Sequence, residues 1–133
     1  MILLNIIFIL TGGKISLLTI ILSSLVALEH IYIMYLETFA TTSDSTSRVF
    51  NMSKDELERK SVNTLFKNQG VYNGLIAILI LISLFIIPSK EWNTILMVYV
   101  VLVASYGAIT SDPKIIFKQA GLAILSLISL ILF

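Results

Sequence analysis

Val71-Tyr72-Asn73-Gly74-Leu75-Ile76-Ala77-Ile78-Leu79-Ile80-Leu81-Ile82-Ser83-Leu84-Phe85-Ile86-Ile87 is an apolar run without a charged residue and without alternating polarity. A helix that crosses bilayer hydrocarbon needs about 20 mostly apolar residues. A membrane β-strand would alternate apolar and polar side chains instead. The run therefore reads as the body of a transmembrane helix. Residues 15–39, 92–109 and 115–133 read the same way. Helices are the natural assignment, because hydrocarbon cannot hydrogen-bond free backbone groups.

Composition supports this reading. Of 133 residues, 57% are hydrophobic and 13% charged, against about 45–50% and about 25% in soluble domains. Too little polar surface is left to coat a soluble fold. The net charge of +1 offers no basic face for nucleic acid. No cysteine is present, which removes thiolate chemistry and Cys-ligated metal sites. The expected fold is all-α: an integral membrane four-helix bundle over residues 15–133. Residues 1–14 form an N-terminal extension, apolar but too short to span.

The polar connections refine the picture. Thr41-Thr42-Ser43-Asp44-Ser45-Thr46-Ser47 reads as a turn-rich linker. Ser53-Lys54-Asp55-Glu56 fits a capping box. It opens a short helix to about residue 60, expected to lie at the bilayer interface. Pro88-Ser89-Lys90-Glu91 and Ser111-Asp112-Pro113-Lys114 are tight, so the helices they join are antiparallel neighbours. Trp92 suits an interfacial anchor. Arg48, Lys54, Arg59, Lys60, Lys67, Lys114 and Lys118 lie on one side, and only Lys14 and Lys90 on the other. The positive-inside rule then puts the long first loop in the cytoplasm and both termini outside the cell membrane.

Polar residues inside the spans are the candidates for function. Glu29, His30 and Glu37 lie toward the cytoplasmic end of the first helix. Gln69, Tyr72 and Asn73 open the second at the same end, and Tyr106 approaches it on the third. At about 100° per residue, His30 and Glu37 project on one stripe with Glu29 at its edge. Gly70 and Gly74 form a G-x-x-x-G face that suits close helix packing, including a homodimer. A carboxylate at membrane depth costs about 2.5–3.5 kcal/mol on insertion scales. Glu29 should therefore be paired, protonated or in a wet cavity. Glu37 at the headgroup level, simply hydrated, is the plainer alternative, and a structural hydrogen-bonded network is the plainer one for Glu29 and His30. No metal site is expected, since the single His and the two Glu share one helix without a ligand-pair spacing. Nothing calls for a cofactor.

The segment Ala27-Leu28-Glu29-His30-Ile31-Tyr32-Ile33-Met34-Tyr35-Leu36-Glu37-Thr38-Phe39 resembles the first helix of a family of small bacterial membrane proteins, domain of unknown function 1304. Phe50-Asn51-Met52-Ser53 and Asn68-Gln69-Gly70-Val71-Tyr72-Asn73-Gly74 match its next signatures in order, and Gln119-Ala120-Gly121 matches more weakly. The resemblance covers residues 15–133 and implies a multi-pass membrane protein with a shared polar site, without an activity. Three functions stay open. One is binding or transport of a small molecule in a polar chamber open to the cytoplasm, similar in outline to small multidrug transporters with their four helices and first-helix Glu. The second is a cofactor-free acid/base enzyme on a lipophilic substrate, with Tyr72, Asn73 and Tyr106 orienting it. The third is an accessory or scaffold subunit. Membrane lipid and an unidentified small molecule are the expected partners.

Overall fold

The computed structural model describes residues 13–133. Among them every regular element is helical. Helix α1 covers Leu17–Met34 and ends in a π-helical turn, Tyr35–Phe39. Two short helices follow, α2 at Asp44–Phe50 and α3 at Lys54–Glu58. Helix α4, Lys60–Leu81, ends in a second π-helical turn, Ile82–Ile86. Helices α5, Lys90–Thr110, and α6, Ile115–Leu132, complete the chain. Helices α1 and α4 with their π turns, α5 and α6 are long and apolar enough to cross a membrane.

The surface agrees with that assignment. Leu17, Ile109 and Phe117 are 72%, 84% and 81% exposed, and exposed Leu, Ile and Val line all four long helices. Soluble monomers do not leave so much contiguous apolar area to water. Buried positions, by contrast, are often small: Ala27, Ala77, Ala104, Ala120 and Ala123 are nearly inaccessible. Small residues let helix backbones approach where no hydrophobic effect pulls them together.

Two expectations change. The stretch taken as a turn-rich linker contains α2. Its N-cap is Ser43, whose hydroxyl accepts from the Thr46 amide, and its C-cap is Asn51 with φ 52°. Asn tolerates that left-handed geometry. Helix α4 begins at Lys60, well before the apolar run, because its first turns are polar and hydropathy sees only the part suited to hydrocarbon. Of residues 1–14, only Gly13 and Lys14 fall among the described ones, so the expected extension lies outside them.

The chain divides into two compact units, one of residues up to 27 with 79–133 and one of 28–78. Within 28–78, α4 lies against the end of α1 at the two glycines. A Cβ at Gly70 would collide with Thr38 Oγ1 and come within 3.0 Å of Glu37 Cβ, and one at Gly74 would lie 3.0 Å from Met34 Cγ. The G-x-x-x-G face thus meets the end of α1 in the same chain. Phe50 and Phe66 meet edge to face, centroids 5.0 Å apart, which ties the connecting segment to α4. Lys54 and Asp44 pair at 2.6 Å in solvent. The Lys54 ammonium holds the Asp44 carboxyl below its ordinary range.

Gly70→Ala is expected to destabilise the protein by about 1–3 kcal/mol, the usual cost of overpacking. A Cβ at Gly121 meets nothing within 4 Å, so Gly121→Ala should be neutral or stabilising by up to about 1 kcal/mol, the difference in helix propensity. Equilibrium unfolding in mixed detergent micelles measures both.

Candidate functional site

Each unit carries its own buried polar group. In the unit of residues 28–78, the π turn Tyr35–Phe39 is central. Its backbone closes by an Ala40 N–H donating to Tyr35 O, 3.0 Å. The wider turn leaves helix-end carbonyls without helical partners. Threonines supply them: Thr41 Oγ1 donates to Glu37 O at 2.7 Å, and buried Thr46 Oγ1 reaches Ala40 O at 2.6 Å and Leu36 O at 3.2 Å. This scaffold holds Glu37 inward, only 3% exposed. Asn73 Nδ2 donates to Glu37 Oε2 at 2.7 Å. Asn73 also reaches its own helix, Gln69 O, at 3.3 Å.

Glu37 is therefore neither at the surface nor merely hydrated. The stripe drawn through His30 and Glu37 assumed regular α geometry, which ends at Met34. A π turn changes the rotation per residue, so the projection fails at the residue that matters. The opposition of Gly70 to Glu37 and Thr38, and of Gly74 to Met34, fixes an antiparallel register. It puts His30 at the level of Ile78, away from Asn73. Seven residues separate His30 from Glu37, about 10 Å of helical rise. The expected single chamber resolves into two levels, Glu37 with Asn73 and Glu29 with His30.

Glu29 and His30 are partly buried. Glu29 Oε2 is enclosed yet has no hydrogen-bond partner. Gln69 is exposed, and Tyr72 and Tyr106 are each 71% exposed. The two tyrosines turn outward, as interfacial aromatics do, and enclose nothing. Among the described residues no three His, Asp or Glu side chains gather to hold a metal ion.

The unit of residues up to 27 with 79–133 holds a network that sequence reasoning missed. Ser23 Oγ donates to Asn93 Oδ1 at 2.9 Å, Asn93 Nδ2 to Ser83 Oγ at 3.2 Å, and Ser83 Oγ to Ile80 O at 2.7 Å. Since the Ser23 proton is committed to an amide oxygen, Ser126 must be the donor in the 2.7 Å Ser23–Ser126 bond. Donation thus runs one way, Ser126 to Ser23 to Asn93 to Ser83 to backbone, through α6, α1, α5 and the end of α4. One-way chains polarise and reinforce one another. A second knot joins Thr19 to Ser129 at 2.7 Å and to Ser16 at 2.9 Å. Spacing held the clue: Thr19 and Ser23, and Ser126 and Ser129, are one turn apart on their helices.

The chain matches the family described as Protein of unknown function (DUF1304) over residues 24–131. It is similar to Uncharacterized protein YpaA of Lactococcus lactis subsp. lactis (strain IL1403), 62% identical over 115 residues, covering 86% of this chain and 97% of that protein. No solved structure matches.

Two outcomes test the polar groups. Asn73→Leu, which leaves Glu37 enclosed without its donor, should lower stability by about 1–3 kcal/mol, while Glu37→Gln costs less because an amide can still accept from Asn73. Asn93→Leu breaks two bonds and should cost about 1 kcal/mol, since hydrogen bonds between membrane helices average about 0.6 kcal/mol each. Unfolding in mixed micelles reads both.

Proposed function

The chain belongs to the DUF1304 family of proteins of unknown function, and from that premise we infer that it is a multi-pass protein of the cell membrane that binds or carries a small molecule at Glu29. Four spans with a cytoplasmic first loop and both termini outside follow from the distribution of Lys and Arg. In that orientation Glu29, His30, Glu37 and Asn73 belong to the inner-leaflet half of the spans. The short helix α3 then lies at the cytoplasmic interface.

The observation that carries the reading is the enclosed, partnerless Oε2 of Glu29. Nearly all buried polar atoms in folded proteins have a partner, and exceptions call for a bound group, a proton or a water. Glu37, two turns further on, has its donor in Asn73; Glu29 has an acceptor oxygen to spare. Its ligand is therefore a hydrogen-bond donor, a proton or an ammonium-bearing molecule small enough to reach between helices. A carboxylate that exchanges a proton for such a cation is sufficient for proton-coupled transport. The outward-turned Tyr72 and Tyr106 leave the enzyme alternative without the groups that were to orient a substrate.

Two measurements test this. Dicyclohexylcarbodiimide attacks protonated carboxyls in apolar surroundings, and should modify Glu29 in the wild-type protein, with the adduct located by peptide mass spectrometry. Ethidium and choline uptake driven by a proton gradient should occur in proteoliposomes and drop to the level of empty vesicles in Glu29→Gln. Uptake that is the same in wild type, Glu29→Gln and empty vesicles, together with an unmodified Glu29, removes the reading.

A further inference from the structure

Lys90 is 5% exposed, an unusual position for an ammonium-bearing side chain. It is the first residue of α5, with Ser89 as N-cap. A helix N-terminus is the positive end of its dipole, so a cation there is disfavoured rather than helped. The carboxylate that suits this end is Glu91, and it is already engaged: Ser89 Oγ donates to Glu91 Oε2 at 2.9 Å. Among the described residues the ion pairs within 4.0 Å are Lys54–Asp44 and Arg59–Glu56, and Lys90 is in neither. Helix electrostatics does not explain the burial of this lysine, and the adjacent Glu91 feels its charge without closing to an ion pair.

Lys90 lines a cleft of about 520 Å³ whose other walls include Lys14, Ile15, Ile20, Leu84 and Pro88. Among the described residues Lys14 likewise forms no ion pair. The cleft thus collects both cations of its side of the protein, since the remaining seven Lys and Arg lie in or beside the first and third loops. Two lysines and the first residue of a 21-residue helix thus line one volume whose other walls are mostly apolar.

We propose that this cleft binds the phosphate of an anionic phospholipid, held between Lys14 and Lys90 with acyl chains along Ile15, Ile20 and Leu84. Anions are favoured at helix N-termini, and basic pockets between membrane helices take anionic headgroups. The apolar walls distinguish a lipid from a free anion: Ile15, Ile20 and Leu84 offer nothing to inorganic phosphate and fit hydrocarbon. The cleft shares no residue with the Glu29 group, takes the opposite charge, and does not depend on the function assigned to that residue.

The test uses the full chain purified in a mild detergent. Native mass spectrometry counts bound phosphatidylglycerol against phosphatidylcholine, and thermal melts follow each lipid and inorganic phosphate alone. Phosphatidylglycerol should be retained about fivefold over phosphatidylcholine, the scale of a single lysine near a charged headgroup, and should raise the melting temperature. Lys14→Gln and Lys90→Gln should each erode that preference and Lys90→Arg should keep it. Lys118→Gln, at the far end of α6 from Ser129, should leave it unchanged. Equal retention of the two lipids by the wild type overturns the proposal, whatever the variants do. So does undiminished preference in the double variant, and so does stabilisation by inorganic phosphate matching that by phosphatidylglycerol, which assigns the cleft to a soluble anion. Should Lys90→Gln fail to fold, Lys14→Gln and the wild-type lipid comparison still decide the matter.

Discussion

A hydroxyl, amide or carboxyl carried into hydrocarbon has no water to fall back on, and this constraint organises the interior of the protein. Every such group must be met by another helix, by its own backbone or by something bound. The response differs along the chain. Between residues up to 27 and residues 79–133, Ser126, Ser23, Asn93 and Ser83 settle one another in a one-way sequence of bonds that ends on a backbone carbonyl. Between residues 28 and 78, Thr41 and Thr46 settle the loose carbonyls of a helix end, and Asn73 settles Glu37.

Both π turns serve this need. Each ends a long helix, and each carries a buried polar residue, Glu37 in one and Ser83 in the other. An inserted residue rotates the side chains beyond it relative to a regular helix, and it frees carbonyls that then need donors. Those donors exist locally: the threonines beyond Phe39, and beyond Ile86 the Ser89 amide, which reaches Ser83 O at 3.0 Å. Glycine completes the arrangement on the facing helix. With a side chain at Gly70, α4 could not come close enough to α1 for Asn73 to reach Glu37 at 2.7 Å. The close packing and the carboxylate's partner are one feature of the sequence, seen from two sides.

The long helices were legible in the sequence because length and apolarity are one-dimensional properties that survive without knowledge of packing. The glycine face was legible for the same reason, although its partner, α1 of the same chain, was not. Three things were hidden. The π turns leave no compositional trace in Tyr35–Phe39 or Ile82–Ile86, so a projection at fixed rotation put Glu37 with His30 when the chain pairs it with Asn73. Serines in leucine-rich runs carry no signal of their own, because a lone hydroxyl can bond back to its own helix; only the facing spans show that Ser23 and Ser126 meet. Lys90 read as part of a tight connection, and nothing in Pro88-Ser89-Lys90-Glu91 signals that its side chain is buried.

Satisfied and unsatisfied groups carry different information. Asn93 and Ser23 are as deeply buried as any residue described, yet their bonds to each other account for them, and a helix-holding role is sufficient reason for their presence. Glu29 and Lys90 are less easily explained. One presents an enclosed acceptor with no donor, the other a buried lysine that forms no ion pair within 4.0 Å among the described residues. Folding alone does not favour either, because an apolar residue of similar size would avoid the cost. Where local rules fail while the surrounding polar groups are paired, binding is the ordinary reason. The two exceptions differ in sign and lie in different units of the chain, so the ligands proposed for them differ as well: a donor or cation at Glu29, and an anion at Lys90.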